Sequence, residues 1–129
     1  MSASTSHAII LFAHGARDAR WSKTLSALQE RVEARLATSH VAIAFLEFQG
    51  PSLEEALTDA VAVGCDRIDV VPVFWASGGH VVNDLPPLLD RFRVKNPRVE
   101  LALLPVLSEL PGLLDFVADV IVERRSKQE

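Results

Sequence analysis

The sequence predicts an α/β fold, a four-stranded parallel sheet in a three-layer sandwich of flavodoxin-like strand order 2-1-3-4, and three observations lead there. Apolar runs alternate with segments of helical period, the mark of strand and helix units that build a parallel sheet. The runs are apolar at successive positions, as strands covered on both faces are. Capping residues, Gly and Pro fall between the runs and the periodic segments. Right-handed crossovers then order the strands. Four such units fill the chain and leave no linker or low-complexity stretch, so 1–129 is read as a single domain with its core over about 7–125.

The first unit is the run Ala8-Ile9-Ile10-Leu11-Phe12-Ala13, then a helix over Trp21 to Ala37 with Leu25, Leu28, Val32 and Leu36 at three- and four-residue spacing. The second strand is read over Val41 to Phe48. Ser52 follows as a helix cap with Glu55 three residues on, a capping box, and the helix runs to Val63 before Gly64 ends it. The third strand, Arg67 to Phe74, leads through a loop from Trp75 to His80 into a helix near Asn83 to Val94, where Pro86 and Pro87 are tolerable only in the first turn. The fourth strand is read over Val99 to Leu107, the closing helix from about Pro111 to Arg125, and 126–129 as a frayed tail. So small a sheet has edges that a second copy can cover, and a homodimer is expected.

Composition excludes several classes. With 49% hydrophobic and 23% charged residues the chain can bury one real core. Its 13 Lys+Arg against 17 Asp+Glu give a net charge of −4, and no basic cluster exceeds Arg124-Arg125, so no nucleic-acid partner is expected. Cys65 stands alone, which rules out an intramolecular disulfide and a cysteine-cluster metal site; it is read as a small buried hydrophobe in a helix-to-strand connection. The run Ala8 to Ala13 has no Lys or Arg ahead of it and is far shorter than the roughly 20 residues of a membrane span. It is a strand, not a signal peptide, and the expectation is a soluble cytoplasmic protein with no membrane association.

In an open parallel sheet the ligand crevice lies beyond the carboxyl ends of the strands, where the strand order reverses. His14-Gly15-Ala16-Arg17-Asp18 follows the first strand, Glu47 with Gln49-Gly50 the second, and Gly78-Gly79-His80-Val81-Val82-Asn83-Asp84 the third. His14, Glu47 and His80 thus recur at the length of one unit and are expected at equal heights on one rim; their flanks are not self-similar, so this is no sequence repeat. Two imidazoles and a carboxylate suit Co²⁺, Fe²⁺, Ni²⁺ or Zn²⁺, and the lack of thiolates argues against structural zinc. Each residue also has an ordinary reading: a strand-end His as a hydrogen-bonded loop residue, Glu47 as a capping or salt-bridge group, Gly78-Gly79 as a loop of positive φ. Their joint occurrence on the predicted rim favours a site. His7 and His40 precede their strands, belong at the opposite end of the sheet, and are assigned no function.

These residues resemble the class II chelatases of the sirohydrochlorin type, in particular the short-form sirohydrochlorin cobaltochelatases of cobalamin synthesis. The motifs are the strand with His14-Gly15-Ala16-Arg17-Asp18, Phe45-Leu46-Glu47-Phe48 with Pro51-Ser52-Leu53-Glu54-Glu55-Ala56-Leu57, and Val71-Pro72-Val73-Phe74 leading into Gly78-Gly79-His80-Val81-Val82-Asn83-Asp84-Leu85-Pro86. The likeness covers nearly the whole chain. It implies a lyase-type metal chelatase that inserts Co²⁺, or in related members Fe²⁺ or Ni²⁺, into a sirohydrochlorin-type tetrapyrrole without nucleotide hydrolysis, the metal being a substrate and no organic cofactor being needed. Carried onto this chain, His14 and His80 would bind metal and accept protons, with Glu47 as their acidic companion. The short form resembles one half of longer two-lobed chelatases, which implies a homodimer with the substrate between subunits. The chain departs from the family's common pattern at Ala16, where Ser is usual, at Ser108-Glu109, where Gly and His are, and at Asn83, where a charged residue is frequent.

Metal insertion requires two pyrrole N–H protons to leave while the ion sheds water, so the site needs a base near the ring centre and ligands that hold the ion loosely. Arg17, Arg20 and Lys23 are candidate cations for the carboxylates of the macrocycle, or else a solvated helix start. Gly78, Gly79, Trp75 and Phe74 are candidate walls of the substrate site, the two aromatics serving otherwise in the core or a dimer interface. The alternatives are a non-catalytic metal- or tetrapyrrole-binding paralogue, a siroheme ferrochelatase or nickel chelatase, and a flavodoxin-like ligand module with structural histidines. No G-x-G-x-x-G or P-loop follows the first strand. A histidine phosphatase would carry Arg where Ala13 stands.

Overall fold

The computed structural model describes residues 6–15, 18–36, 38–75 and 79–128, with the backbone alone at 19, 21, 79–82 and 126–128. The elements are β1 (His7–Ala13), α1 (Ala19–Arg35), β2 (His40–Phe45), α2 (Leu53–Ala62), β3 (Arg67–Pro72), α3 (Gly79–Lys95), β4 (Glu100–Leu103), a 3-10 turn (Leu107–Glu109) and α4 (Leu113–Gln128). The strands form one parallel sheet in the order β2-β1-β3-β4, the order read from the sequence. Alternate residues of each strand enter two separate cores. Ala8, Ile10, Phe12, Ile68 and Val70 join Leu57 of α2 and Leu85 and Leu89 of α3 on one face. Leu11, Ala13, Val41 and Phe45 join Leu25 of α1 on the other.

Several boundaries differ from the sequence reading. β2 ends at Phe45 rather than at Phe48. Beyond it the chain turns back, Phe45 N–H donating to Pro51 O at 2.8 Å, and Phe48 adopts a left-handed φ of 70°. β4 ends at Leu103, short of the expected Leu107, because Pro105 has no N–H for the ladder. The first helix begins at Ala19, before Trp21, with Asp18 as its cap, and ends at Arg35. The third helix begins at Gly79, so His80 lies in a helical turn and not in a loop, and Pro86 and Pro87 stand inside the helix rather than in its first turn. Two backbone donations are lost there, and the burial of Leu85 and Leu89 to 4% and 1% exposure offsets that loss. The capping box on α2 is present as expected, with Glu55 N–H donating to Ser52 Oγ and Ser52 N–H to Glu55 Oε1. Cys65 is buried between α2 and β3.

The final helix runs over Leu113–Gln128 and does not close the fold. Among the described residues its one substantial contact with the rest of the chain is the 3-10 turn. The face of the sheet that carries α1 is therefore covered over β1 and β2 and bare over β4, where Glu100 and Ala102 are exposed.

Candidate functional site

The rim beyond the carboxyl ends of the strands is built by backbone hydrogen bonds that continue the sheet after the strands end. Leu46 N–H donates to Ala13 O at 2.9 Å and Glu47 N–H to His14 O at 3.1 Å. On the other side of β1, Val73 N–H donates to Phe12 O at 2.7 Å, and Leu107 and Ser108 donate to Phe74 O and Trp75 O. His14, Glu47, Phe74 and Trp75 are thus fixed at their main chains, although none lies in a strand. These bonds hold the backbone and leave the side chains of His14, Glu47 and Trp75 exposed, while Phe74 packs on the core.

His14 and Glu47 meet there. Nε2 of His14 lies 3.3 Å from Oε1 of Glu47, with side chains 53% and 50% exposed. The imidazole also packs edge-on against Phe74, ring centroids 6.2 Å apart, and Phe74 in turn packs edge-on against Phe12. One edge of the imidazole is oriented by a carboxylate and an aromatic ring while the rest remains open, which suits a group that must bind and release a ligand.

Gly15 makes this approach possible. Its φ is +94°, and a Cβ built on it would sit 2.1 Å from Glu47 O. Only glycine fits both the left-handed backbone and the contact. The sequence reading named Gly15 within the His14-Gly15-Ala16-Arg17-Asp18 motif and missed this role. The His-Gly pair after the strand was the available signal, but that Glu47 would pass so close depends on a turn visible only in three dimensions. Phe48, exposed and left-handed beside Glu47, gave no signal in sequence.

The remaining candidates are placed unevenly. His80 and Gly79 fall in the first turn of α3, and His80 does not share a strand-end position with His14 and Glu47 as equal spacing had implied. The side chain of His80, and all of Arg17 and Gly78, lie outside the described residues. Among the described residues no three of His, Cys, Asp and Glu converge on a point. Trp75 stands on the same rim, 57% exposed. Arg20 reaches back to the α1 cap, its Nη2 2.7 Å from Asp18 Oδ2. That guanidinium, with the Arg20 backbone N–H behind it, holds the Asp18 carboxyl below its usual range, and Asp18 raises Arg20 in turn. Part of the positive charge that Arg20 would offer a substrate is therefore already engaged by a neighbour. Lys23 is exposed on the same helix. His7 and His40 begin β1 and β2 at the opposite end of the sheet, as expected. No helix among the described residues is long and apolar enough to cross a membrane.

Comparison with known proteins points to one family. The sequence model of the CbiX family matches residues 8–124. The chain is 39% identical over 82 residues to a sirohydrochlorin cobaltochelatase of Methanocaldococcus jannaschii, an alignment spanning 64% of this chain and 57% of that protein. It is 30% identical over 122 residues to a sirohydrochlorin cobaltochelatase of Saccharolobus solfataricus, spanning 90% of this chain and 91% of that one. A crystal structure described as a cobalamin (vitamin B12) biosynthesis CbiX protein of Marinobacter aquaeolei superposes with a TM-score of 0.77 at 33% identity, covering 94% of this chain and 98% of its own.

Proposed function

Because the chain belongs to the CbiX family, we propose that it inserts a divalent metal ion, Co²⁺ foremost, into sirohydrochlorin. The observation that carries this reading is the His14–Glu47 pair, an imidazole and a carboxylate 3.3 Å apart and half exposed on the rim where an open parallel sheet binds ligands. Relatives named as cobaltochelatases support the choice of cobalt. Fe²⁺ and Ni²⁺ accept the same nitrogen and oxygen donors, and cellular supply discriminates among them.

The reaction exchanges one M²⁺ for two protons, which leave two pyrrole nitrogens of the macrocycle. In this reading His14 and His80 hold the incoming ion and take up those protons, and Glu47 orients the His14 imidazole and passes a proton on to solvent. Trp75 offers a flat apolar face to the macrocycle. Arg17, Lys23 and the Gly78-Gly79 backbone meet its carboxylates. The protein acts in the cytoplasm as a homodimer, with the macrocycle between two carboxyl-end rims.

The test is an anaerobic assay of purified protein with sirohydrochlorin and Co²⁺, Fe²⁺ or Ni²⁺ in turn, followed by absorption spectra beside a His80→Ala control. Many turnovers with Co²⁺, lost in the control, are expected. Stoichiometric uptake without turnover would replace the enzyme by a binding protein.

A further inference from the structure

Phe48 is held in a conformation that its side chain disfavours. Among the described residues it is the one non-glycine residue with positive φ, 70°, in the left-handed region where a Cβ crowds the backbone. Glycine or asparagine is the usual occupant of such a position, and a bulky residue is an outlier there. The glycine of this turn, Gly50, stands two residues later. Burial does not offset the cost: Phe12 and Phe45 are buried, whereas Phe48 is 56% exposed.

The turn around Phe48 is anchored on both sides. Before it, Leu46 and Glu47 donate to the main chain of Ala13 and His14. After it, Gln49 Nε2 donates to Ser22 Oγ of α1 at 3.1 Å, and Phe45 N–H closes the turn on Pro51 O. Strain of this kind persists where the surroundings over-determine a residue, and such residues gather at ligand sites. Position indicates the ligand. The order β2-β1-β3 sets the turn after β2 on one side of His14 and the segment after β3 on the other. Phe48 stands in the first, directly after Glu47, and exposed Trp75 in the second. The axes of β2 and β3 are two strand spacings apart, about 10 Å, the breadth of a tetrapyrrole ring. Carboxylates line the edge of a sirohydrochlorin-type macrocycle, but its plane is an apolar π surface, which an aromatic side chain matches.

We propose that Phe48 is a substrate-binding residue, whose ring packs on the plane of the macrocycle across His14 from Trp75. The anchored left-handed turn holds it on the rim before the substrate arrives, so little ordering remains to oppose binding. This rests on the chelatase reading above and adds to it a residue that positions the ring over the His14–Glu47 pair.

Phe48→Asn removes the ring and relieves the backbone, so far-ultraviolet circular dichroism should match the wild type and thermal unfolding should come at the same temperature or above it. Binding of metal-free sirohydrochlorin, titrated by its absorption spectrum, should weaken about 10-fold, the scale of one lost ring contact. Phe48→Tyr keeps the flat ring and should restore wild-type binding. In metallation assays Phe48→Asn should raise KM by a similar factor and leave kcat close to wild type, because the proton acceptors are untouched. If Phe48→Asn binds sirohydrochlorin as tightly as the wild type, the proposal is overturned and the chelatase reading stands. A Phe48→Asn protein that unfolds well below the wild type would overturn it too, since the ring would then serve the fold. A wild type that does not bind sirohydrochlorin at all would overturn both.

Discussion

β1 begins with one histidine, His7, and is followed directly by another, His14, and each has a carboxylate beside it. At the amino end, Nε2 of His7, the first residue of the strand, lies 2.7 Å from Oδ2 of Asp69, and the side chains are 26% and 19% exposed. At the carboxyl end, His14 lies 3.3 Å from Glu47, and both are half exposed. Asp69 is a residue of β3 and is paired in register beside β1, so the first contact is between two fixed strands. Glu47 lies in the turn after β2, held to His14 by a single backbone bond. The first pair is closed and has its partner. The second is longer, open to solvent, and set where the strand order reverses. The same two residue types therefore serve architecture at one end of a strand and are available for chemistry at the other, and it is placement that separates the roles.

The comparison breaks most sharply at His14. His14→Ala removes a half-exposed side chain that fills no core, so thermal unfolding should stay within about 0.5 kcal/mol of wild type. Metallation should fall by about 100-fold or more, the usual worth of a positioned proton acceptor. A His14→Ala protein that still turns over at the wild-type rate would move the chemistry away from this rim.

Gly15 joins the two properties and gives the next largest effect. Gly15→Ala forces a Cβ against Glu47 O in a left-handed backbone, and one or the other must shift. We expect a loss of about 1–3 kcal/mol in denaturant unfolding. Turnover should drop as well, because His14 and Glu47 are joined through the same backbone. If Gly15→Ala lowers stability and leaves metallation untouched, the close approach is architectural only.

How much of this could be read in advance follows from the range of the interactions. The sheet order, the capping box and the buried Cys65 depend on local pattern and on rules of handedness, and all were legible. Ends of elements were less so. Pro105 shortened β4, and Pro86 and Pro87 failed to confine α3, because the burial of Leu85 and Leu89 outweighs a local preference. His14 and Glu47 were legible as candidates through the rule that ligands gather beyond the strands. Their contact, the part of Gly15 in it and the left-handed Phe48 were not, since each depends on a turn between residues 46 and 51 whose path no periodicity specifies. The helix α4 was read from its apolar residues, which mark a helix but specify no packing partner, and in the structure most of them are exposed.

His7 gives the smallest effect and the cleanest contrast with His14. The imidazole and Asp69 join β1 to β3 through one short contact that is only partly shielded from water. Replacing His7 by Ala removes that contact and leaves the Asp69 carboxylate to be solvated in part by water, so the cost should be about 1 kcal/mol. Asp69→Asn should cost a similar amount, and the double variant should cost less than the two single losses added together, because the second substitution finds the contact already gone. Metallation should be unchanged in all three, since His7 lies a full strand length from His14. A His7→Ala protein of normal stability and reduced turnover would show that the closed pair also serves the chemistry, and the division between the two ends of β1 would no longer hold.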